Sequence, residues 1–109
     1  MRILVVDDDA SILECTRTFL EKAGHEVVTC AGIFEACTAL SDRFDVVICD
    51  GFGGPGLEFL FVLRRVEPTI KTILHSADSR LVEQERARGY CGIVKGDSWD
   101  EVMRAVGEK

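Results

Sequence analysis

The chain has 109 residues, of which 47% are hydrophobic and 29% are charged, and its formal net charge at pH 7 is −6. These values predict a single globular domain over residues 1–109. The acidic balance argues against a nucleic-acid-binding surface, because neutralising phosphates requires clustered Lys and Arg. No apolar run approaches the ~20 residues of a membrane-spanning helix, and the chain opens on a predicted strand. We therefore expect a cytoplasmic protein with no signal peptide and no contact with a membrane.

Strands and helices alternate five times along the chain. The predicted strands are apolar runs rich in β-branched residues, in chain order Ile3–Val6, Val27–Cys30, Val46–Asp50, Thr72–Ser76 and Ile93–Lys95. The helices that follow them are predicted at about Ser11–Ala23, at Ile33–Leu40, from about Pro55, at Arg80–Arg88, and from a capping box that opens with Ser98. This alternation predicts right-handed crossovers and a parallel sheet that is covered by helices on both faces.

Polar residues stand at the ends of four predicted strands. Asp7 and Asp8 follow the first, Asp50 ends the third, Ser76 ends the fourth and Lys95 ends the fifth. The carboxyl ends of parallel strands lie on one edge of the sheet, which is where such sheets bind ligands. We therefore expect these five side chains to converge on one small crevice.

The convergence of carboxylates favours a divalent cation. Asp7, Asp8 and Asp50 cannot all remain ionised at close range without a compensating charge. Mg²⁺ prefers oxygen ligands, and it commonly binds one or two carboxylates together with a phosphate oxygen. An aspartate beside Mg²⁺ can attack phosphorus and form an acyl phosphate. Lys95 and Ser76 would then donate to the phosphoryl oxygens.

At this point the sequence resembles the receiver domain of two-component response regulators, over its full length. Val5–Asp9 resembles the acidic opening motif of that family, and Asp50 stands at the position of its phosphoacceptor. Ser76-Ala77 is similar to the family's Thr/Ser-Ala pair, and Lys95 to its lysine on the fifth strand. The resemblance implies a flavodoxin-like (βα)5 three-layer sandwich with the strand order 2-1-3-4-5.

The resemblance also implies partners and ligands. Asp50 would take a phosphoryl group from the phosphohistidine of a sensor histidine kinase or a phosphotransfer protein, and the domain would then signal to a downstream protein partner. Mg²⁺ would bind Asp8 and Asp50 directly, Asp7 mainly through water, and the backbone carbonyl of Phe52. Asp9 begins the first helix, so we expect it to point away from the metal and cap the helix. The exposed edge of that helix, at Ile12 and Leu13, is the expected docking surface for the kinase.

Two departures from the family pattern concern the fifth strand. The residue after Lys95 is Gly96, where the family has Pro in a cis peptide bond; a non-proline cis bond costs roughly 2.5–4 kcal/mol. We therefore expect a trans bond, a different loop path and a less rigidly placed ammonium. The aromatic switch position of the family is Gly92, and Tyr90 lies in the turn before the strand. Phosphorylation is then expected to order the loops that follow Asp50 and Ser76, and to leave the fifth strand and fifth helix nearly unchanged.

Two alternative interpretations remain open. In a haloacid-dehalogenase-type phosphatase, Asp7-Asp8-Asp9-Ala10-Ser11 would be the D-x-D-x-[ST] motif, with Asp7 as nucleophile and Asp9 as acid/base. That interpretation leaves Asp50 without a role. In a pseudo-receiver, the domain would bind partners without phosphorylation, as Gly92 and Gly96 suggest. For the receiver itself, no activity is expected beyond its own phosphorylation and dephosphorylation, and no effector domain is expected within the chain.

Overall fold

The computed structural model of the protein describes residues 1–96 and 99–107. Its strands are β1 (Arg2–Val6), β2 (Glu26–Cys30), β3 (Val46–Cys49), β4 (Lys71–Ser76) and β5 (Cys91–Val94). Its helices are α1 (Ala10–Lys22), α2 (Ile33–Ala39), α3 (Pro55–Val66), α4 (Ser79–Ala87) and α5 (Trp99–Gly107). The predicted elements are present in the predicted order, with Asp50 and Lys95 one residue beyond their strands. The capping box predicted at Ser98 lies outside the described residues.

The five strands form one parallel sheet with the order β2-β1-β3-β4-β5. This is the flavodoxin-like arrangement that the family resemblance implies. Val6 pairs with Cys49 and Ser76 pairs with Val94, so these neighbouring strands end level with one another. The residues that follow, Asp7, Asp50 and Lys95, are therefore held at the same edge of the sheet.

The sheet is buried on both faces because helices cover each side. One face packs under α2, α3 and α4, and its strand residues are Leu4, Val6, Val47, Cys49 and Leu74. The other face packs under α1 and α5 through Ile3, Val5, Val46, Ile48 and Ile73. Continuous apolar strands of this kind are the pattern of a parallel sheet between two helical layers. No helix within the described residues is long and apolar enough to cross a lipid bilayer.

Helix α4 is anchored by an ion pair as well as by apolar side chains. Leu81 and Val82 are buried, as their spacing predicts, but Glu85 is also completely inaccessible to solvent. Its carboxylate accepts from both terminal nitrogens of Arg64 on α3, at 3.0 and 3.4 Å. Arg64 also donates to Thr72 Oγ1 at 2.9 Å. Sequence periodicity alone gave α4 only a few apolar anchors, and this buried pair adds one that the periodicity does not reveal.

Candidate functional site

The predicted site residues meet at the carboxyl edge of the sheet around the ammonium of Lys95. Lys95 Nζ lies 2.7 Å from Asp7 Oδ2 and 2.6 Å from Asp50 Oδ1. Asp7 is buried, Asp50 is half-buried and Asp8 is exposed. Each of the three aspartates offers one oxygen, and these oxygens all lie within 4.8 Å of one another. The structure therefore brings together the carboxylates and the cation that the strand ends suggested.

Burial and mutual charge shift the ionisation of this cluster. Burial raises the pKa of Asp7 above its ordinary value, and the charge of Asp50 adds to the rise while Lys95 opposes it. Burial alone would lower the pKa of Lys95, but its hydrogen bonds to Asp50 and Asp7 raise it above the ordinary value. The ammonium is therefore charged at neutral pH and compensates part of the acidic cluster.

Asp9 turns away from this cluster and caps α1. Its Oδ1 accepts from the backbone N–H and the hydroxyl of Ser11, at 2.9 and 2.6 Å, and from the Ile12 N–H at 3.4 Å. The expected helix cap at Asp9 is thus confirmed. The hydrogen bonds from Ser11 lower the pKa of Asp9 below its ordinary value. A carboxylate held ionised in a helix cap is poorly suited to the proton-donating role that the phosphatase interpretation gives it.

The loop after Asp50 contains a residue with positive φ and a glycine that packs closely against the Asp50 backbone. The N–H of Phe52 donates to Asp50 Oδ2 at 2.8 Å, and Phe52 itself adopts a positive φ of 49°. A Cβ on Gly56 would lie 2.0 Å from the carbonyl oxygen of Asp50, so only glycine fits there. Helix α3 consequently starts directly beside the candidate phosphoacceptor, with Pro55 in its first turn.

Ser76 links the cluster to the start of α4. Its hydroxyl accepts from the Asp78 N–H at 3.0 Å, and its carbonyl accepts from the Lys95 N–H at 2.9 Å. The Asp78 carboxylate accepts in turn from the Arg80 N–H at 2.9 Å and caps α4. Sequence reasoning missed Asp78, although an aspartate just before a helical pattern is a common N-cap signal.

The chain after Lys95 follows a glycine turn. None of the peptide bonds in the described ranges 1–96 and 99–107 is cis, so the bond between Lys95 and Gly96 is trans, as predicted. Gly96 has a φ of 92°, a conformation that suits glycine. The Lys95 ammonium nevertheless makes two short ion pairs. The ammonium therefore has defined partners in Asp7 and Asp50, and its lower rigidity relative to the family stays a prediction.

Tyr90 and Gly92, the two residues considered for the family's aromatic switch position, make their contacts away from the aspartates. Tyr90 stacks its ring on the guanidinium of Arg64, whose carbon lies 3.7 Å from the ring centroid. That contact is with the Arg64–Glu85 pair and not with the aspartates. Gly92 is buried against α4, and a Cβ there would lie 3.0 Å from the carbonyl oxygen of Val82. The close approach of α4 to β5 depends on this missing side chain.

Comparison with known proteins identifies a matching family, two relatives and a similar solved structure. The family model described as the response regulator receiver domain matches residues 3–95. The phosphate regulon transcriptional regulatory protein PhoB of Klebsiella pneumoniae is 33% identical over 81% of this chain and 40% of its own length. The alginate biosynthesis transcriptional regulatory protein AlgB of Pseudomonas putida is 32% identical over 99% of the chain and 25% of its own. This chain therefore spans less than half the length of either relative.

The structural comparison covers nearly the whole of both chains. The response regulator TrrA of Thermotoga maritima, solved in complex with Mg²⁺ and BeF, superimposes with a TM-score of 0.86 at 32% identity. The match covers 96% of this chain and 95% of TrrA.

Proposed function

Because the chain belongs to the receiver domain family of two-component response regulators, we propose that Asp50 accepts a phosphoryl group in a Mg²⁺-dependent reaction. The donor would be the phosphohistidine of a sensor histidine kinase or a phosphotransfer protein in the cytoplasm. The observation that carries the proposal is the ammonium of Lys95, which lies between the carboxylates of Asp7 and Asp50 at 2.7 and 2.6 Å. A positive charge at this point can receive the oxygens of a phosphoryl group attached to Asp50.

The donor atoms at the site fit Mg²⁺. Asp7, Asp8 and Asp50 supply three oxygens within 4.8 Å of one another, and hard oxygen ligands are what Mg²⁺ prefers. Burial is the main cause of the raised pKa of Asp7, and the charge of neighbouring Asp50 adds a smaller contribution in the same direction. We assign direct binding to Asp8, Asp50 and the Phe52 carbonyl, and water-mediated binding to Asp7. When bound, Mg²⁺ would neutralise the carboxylates and the incoming phosphoryl oxygens. The neighbouring structure of TrrA contains Mg²⁺ with BeF, which supports this assignment.

Each side chain has one role in the proposed transfer. An oxygen of Asp50 forms a bond to phosphorus while the bond from phosphorus to the donor histidine nitrogen breaks, and the released imidazole takes up a proton. Lys95 holds one phosphoryl oxygen, and the Phe52 N–H, which now donates to Asp50 at 2.8 Å, lies close enough to hold another. Ser76 donates its hydroxyl to a third. No other catalytic activity is proposed.

Labelling with acetyl phosphate tests this assignment. The wild type should gain one phosphoryl group on Asp50 in the presence of Mg²⁺, and Asp50→Asn should gain none while keeping its fold. Peptide mass spectrometry locates the group. A label that persists on Asp50→Asn would contradict the proposal, and a label on Asp7 would favour the phosphatase interpretation. Absence of any label on a folded wild type would favour the pseudo-receiver.

Mg²⁺ binding should depend much more on Asp8 than on Asp9. Asp8 belongs to the oxygen cluster, whereas Asp9 is engaged by Ser11 and Ile12 at the start of α1. Titration calorimetry should show Asp8→Asn weakening Mg²⁺ binding by about ten-fold or more, with Asp9→Asn changing it little. Equal losses in the two variants would mean that the wrong aspartates have been assigned.

Two protein contacts are proposed for this domain, one with the kinase and one with a downstream partner. Helix α1 presents Ile12 and Leu13 half-buried beside the site, and we propose this edge as the surface that docks the kinase. The relatives PhoB and AlgB are transcriptional regulators that extend well beyond the matched region. The downstream partner of this domain would therefore be an effector, carried by another segment of the protein or by another chain.

A further inference from the structure

The outer face of α3 carries large apolar side chains between opposite charges. We use the term α3 outer face for Glu58, Phe61, Val62, Arg65 and Val66, which are all exposed. Phe61, Val62 and Val66 retain 49%, 55% and 67% of their accessible surface. The opposite side of the helix is buried in the core through Leu57, Leu60 and Leu63. An apolar strip of this kind on a charged surface favours a protein contact.

The two charges on this face have no ionic partner within the described chain. Neither Glu58 nor Arg65 forms an ion pair with another residue of ranges 1–96 and 99–107. The Arg65 guanidinium carbon lies 5.6 Å from the centroid of the Phe61 ring, over part of the apolar strip. Arg88, the residue that follows α4, lines the groove beside Glu58 and Phe61. The face is therefore acidic at its amino-terminal end and basic at its carboxyl-terminal end.

Two copies of the α3 outer face are complementary to each other when their helices run in opposite directions. Glu58 and Arg65 are seven positions apart in the sequence, so they lie about 10.5 Å apart along the helix and roughly 20° apart around it. Phe61 and Val62 flank the midpoint between them. If a second α3 lies antiparallel across a two-fold axis at that midpoint, each Glu58 meets the Arg65 of the other copy. Phe61 and Val62 then pack against their counterparts near the axis.

We propose that the α3 outer face binds a second copy of this chain in that antiparallel arrangement. A two-fold interface needs a surface that is complementary to itself, and the spacing of Glu58 and Arg65 about Phe61 and Val62 provides one. A parallel arrangement would place Glu58 against Glu58 and Arg65 against Arg65, which like-charge repulsion disfavours. The interface is one helix face, which places it among the small, transient class. The dimer should dissociate with a Kd on the order of 10 µM to 1 mM.

Sedimentation velocity of the unphosphorylated chain over that concentration range tests the proposal. Glu58→Arg and Arg65→Glu should each weaken association by about ten-fold or more, because each places like charges opposite one another. An equimolar mixture of the two variants should associate again, since every charge then faces its opposite across the interface. The double variant Glu58→Arg with Arg65→Glu should also associate. Glu21→Arg, the same charge change on exposed α1, is the matched control and should leave association unchanged.

The mixture distinguishes this interface from a general effect of charge. Recovery in the mixture and in the double variant supports the antiparallel contact. A wild type that remains monomeric over the whole range, or a mixture that fails to associate, overturns it. Val62→Asp provides a second variant that keeps both charges and should also abolish association. Thermal unfolding of each variant verifies its fold, and none of these measurements depends on phosphorylation of Asp50.

Discussion

Replacing Glu85 by alanine should lower the free energy of unfolding by roughly 3–5 kcal/mol, the usual cost of removing one partner from a buried ion pair. The Arg64 side chain is only 12% exposed, and an ion pair with Glu85 at 3.0 Å compensates the charge of its guanidinium. Without Glu85, the contacts that remain to the guanidinium within residues 1–96 and 99–107 are the Thr72 hydroxyl and the Tyr90 ring. Urea denaturation followed by circular dichroism measures the difference, with the slope of the transition confirming a comparable unfolded state.

Two control variants define what the loss means. Glu83→Ala breaks the exposed ion pair with Arg86 on the same helix, and it should cost no more than about 1 kcal/mol. The double variant Arg64→Met with Glu85→Leu removes both charges, and it should recover most of the loss because no buried charge remains. A small effect of Glu85→Ala would show that water reaches Arg64 in the variant and that the pair contributes little to holding α4.

A phosphoryl mimic should change the protection of two loops and leave the last strand and helix unchanged. With beryllofluoride and Mg²⁺, amide exchange should slow on the order of ten-fold at residues 52–54 and 76–79, and very little in β5 and α5. The first loop contains the Phe52 N–H that contacts Asp50, and the second contains the Ser76 hydroxyl and Asp78 N–H. The first loop is thus bonded to Asp50, and the second is bonded to Lys95 through the Ser76 carbonyl. Hydrogen exchange monitored by mass spectrometry makes the measurement.

The packing around β5 explains why its hydrogen exchange is expected to stay unchanged. A two-state switch needs an element with two defined arrangements. Gly92 has no side chain to rotate, and the Cβ of any replacement would lie 3.0 Å from the Val82 carbonyl oxygen. Arg86 Nε also donates to the Gly92 carbonyl at 2.9 Å, which ties α4 to the strand. At the start of α5, Trp99 stacks on Phe19 with ring centroids 5.2 Å apart.

The Asp50→Asn variant is the control for that experiment, since it should show no change in exchange on addition of the mimic. A large change across β5 and α5 in the wild type would defeat the prediction. It would assign the switch to Trp99, whose ring also lies 5.7 Å from that of buried His75, or to Tyr90.

The sequence by itself determined the order of the elements and the residues of the candidate site. Apolar runs and helical spacing are local properties, and they place strands and helices without knowledge of the packing. The site could be predicted because parallel strands end on one edge, so Asp7, Asp50, Ser76 and Lys95 must converge there. The helix cap at Asp9 was predictable for a different reason: a cap involves only neighbours in the chain.

Only the tertiary structure decided how α4 is held and why β5 lacks an aromatic. The partner of Glu85 is Arg64, 21 residues earlier on another helix, and the polar pattern of α4 suggests an exposed glutamate. The fit of Gly92 depends on the distance to Val82 across two elements. The spacing of Leu57, Leu60 and Leu63 indicates the core-facing side of α3, but only the structure shows that Phe61 and Val62 remain exposed. Local periodicity specifies which face of an element is apolar, whereas the partner that a face meets depends on the packing of elements distant in sequence.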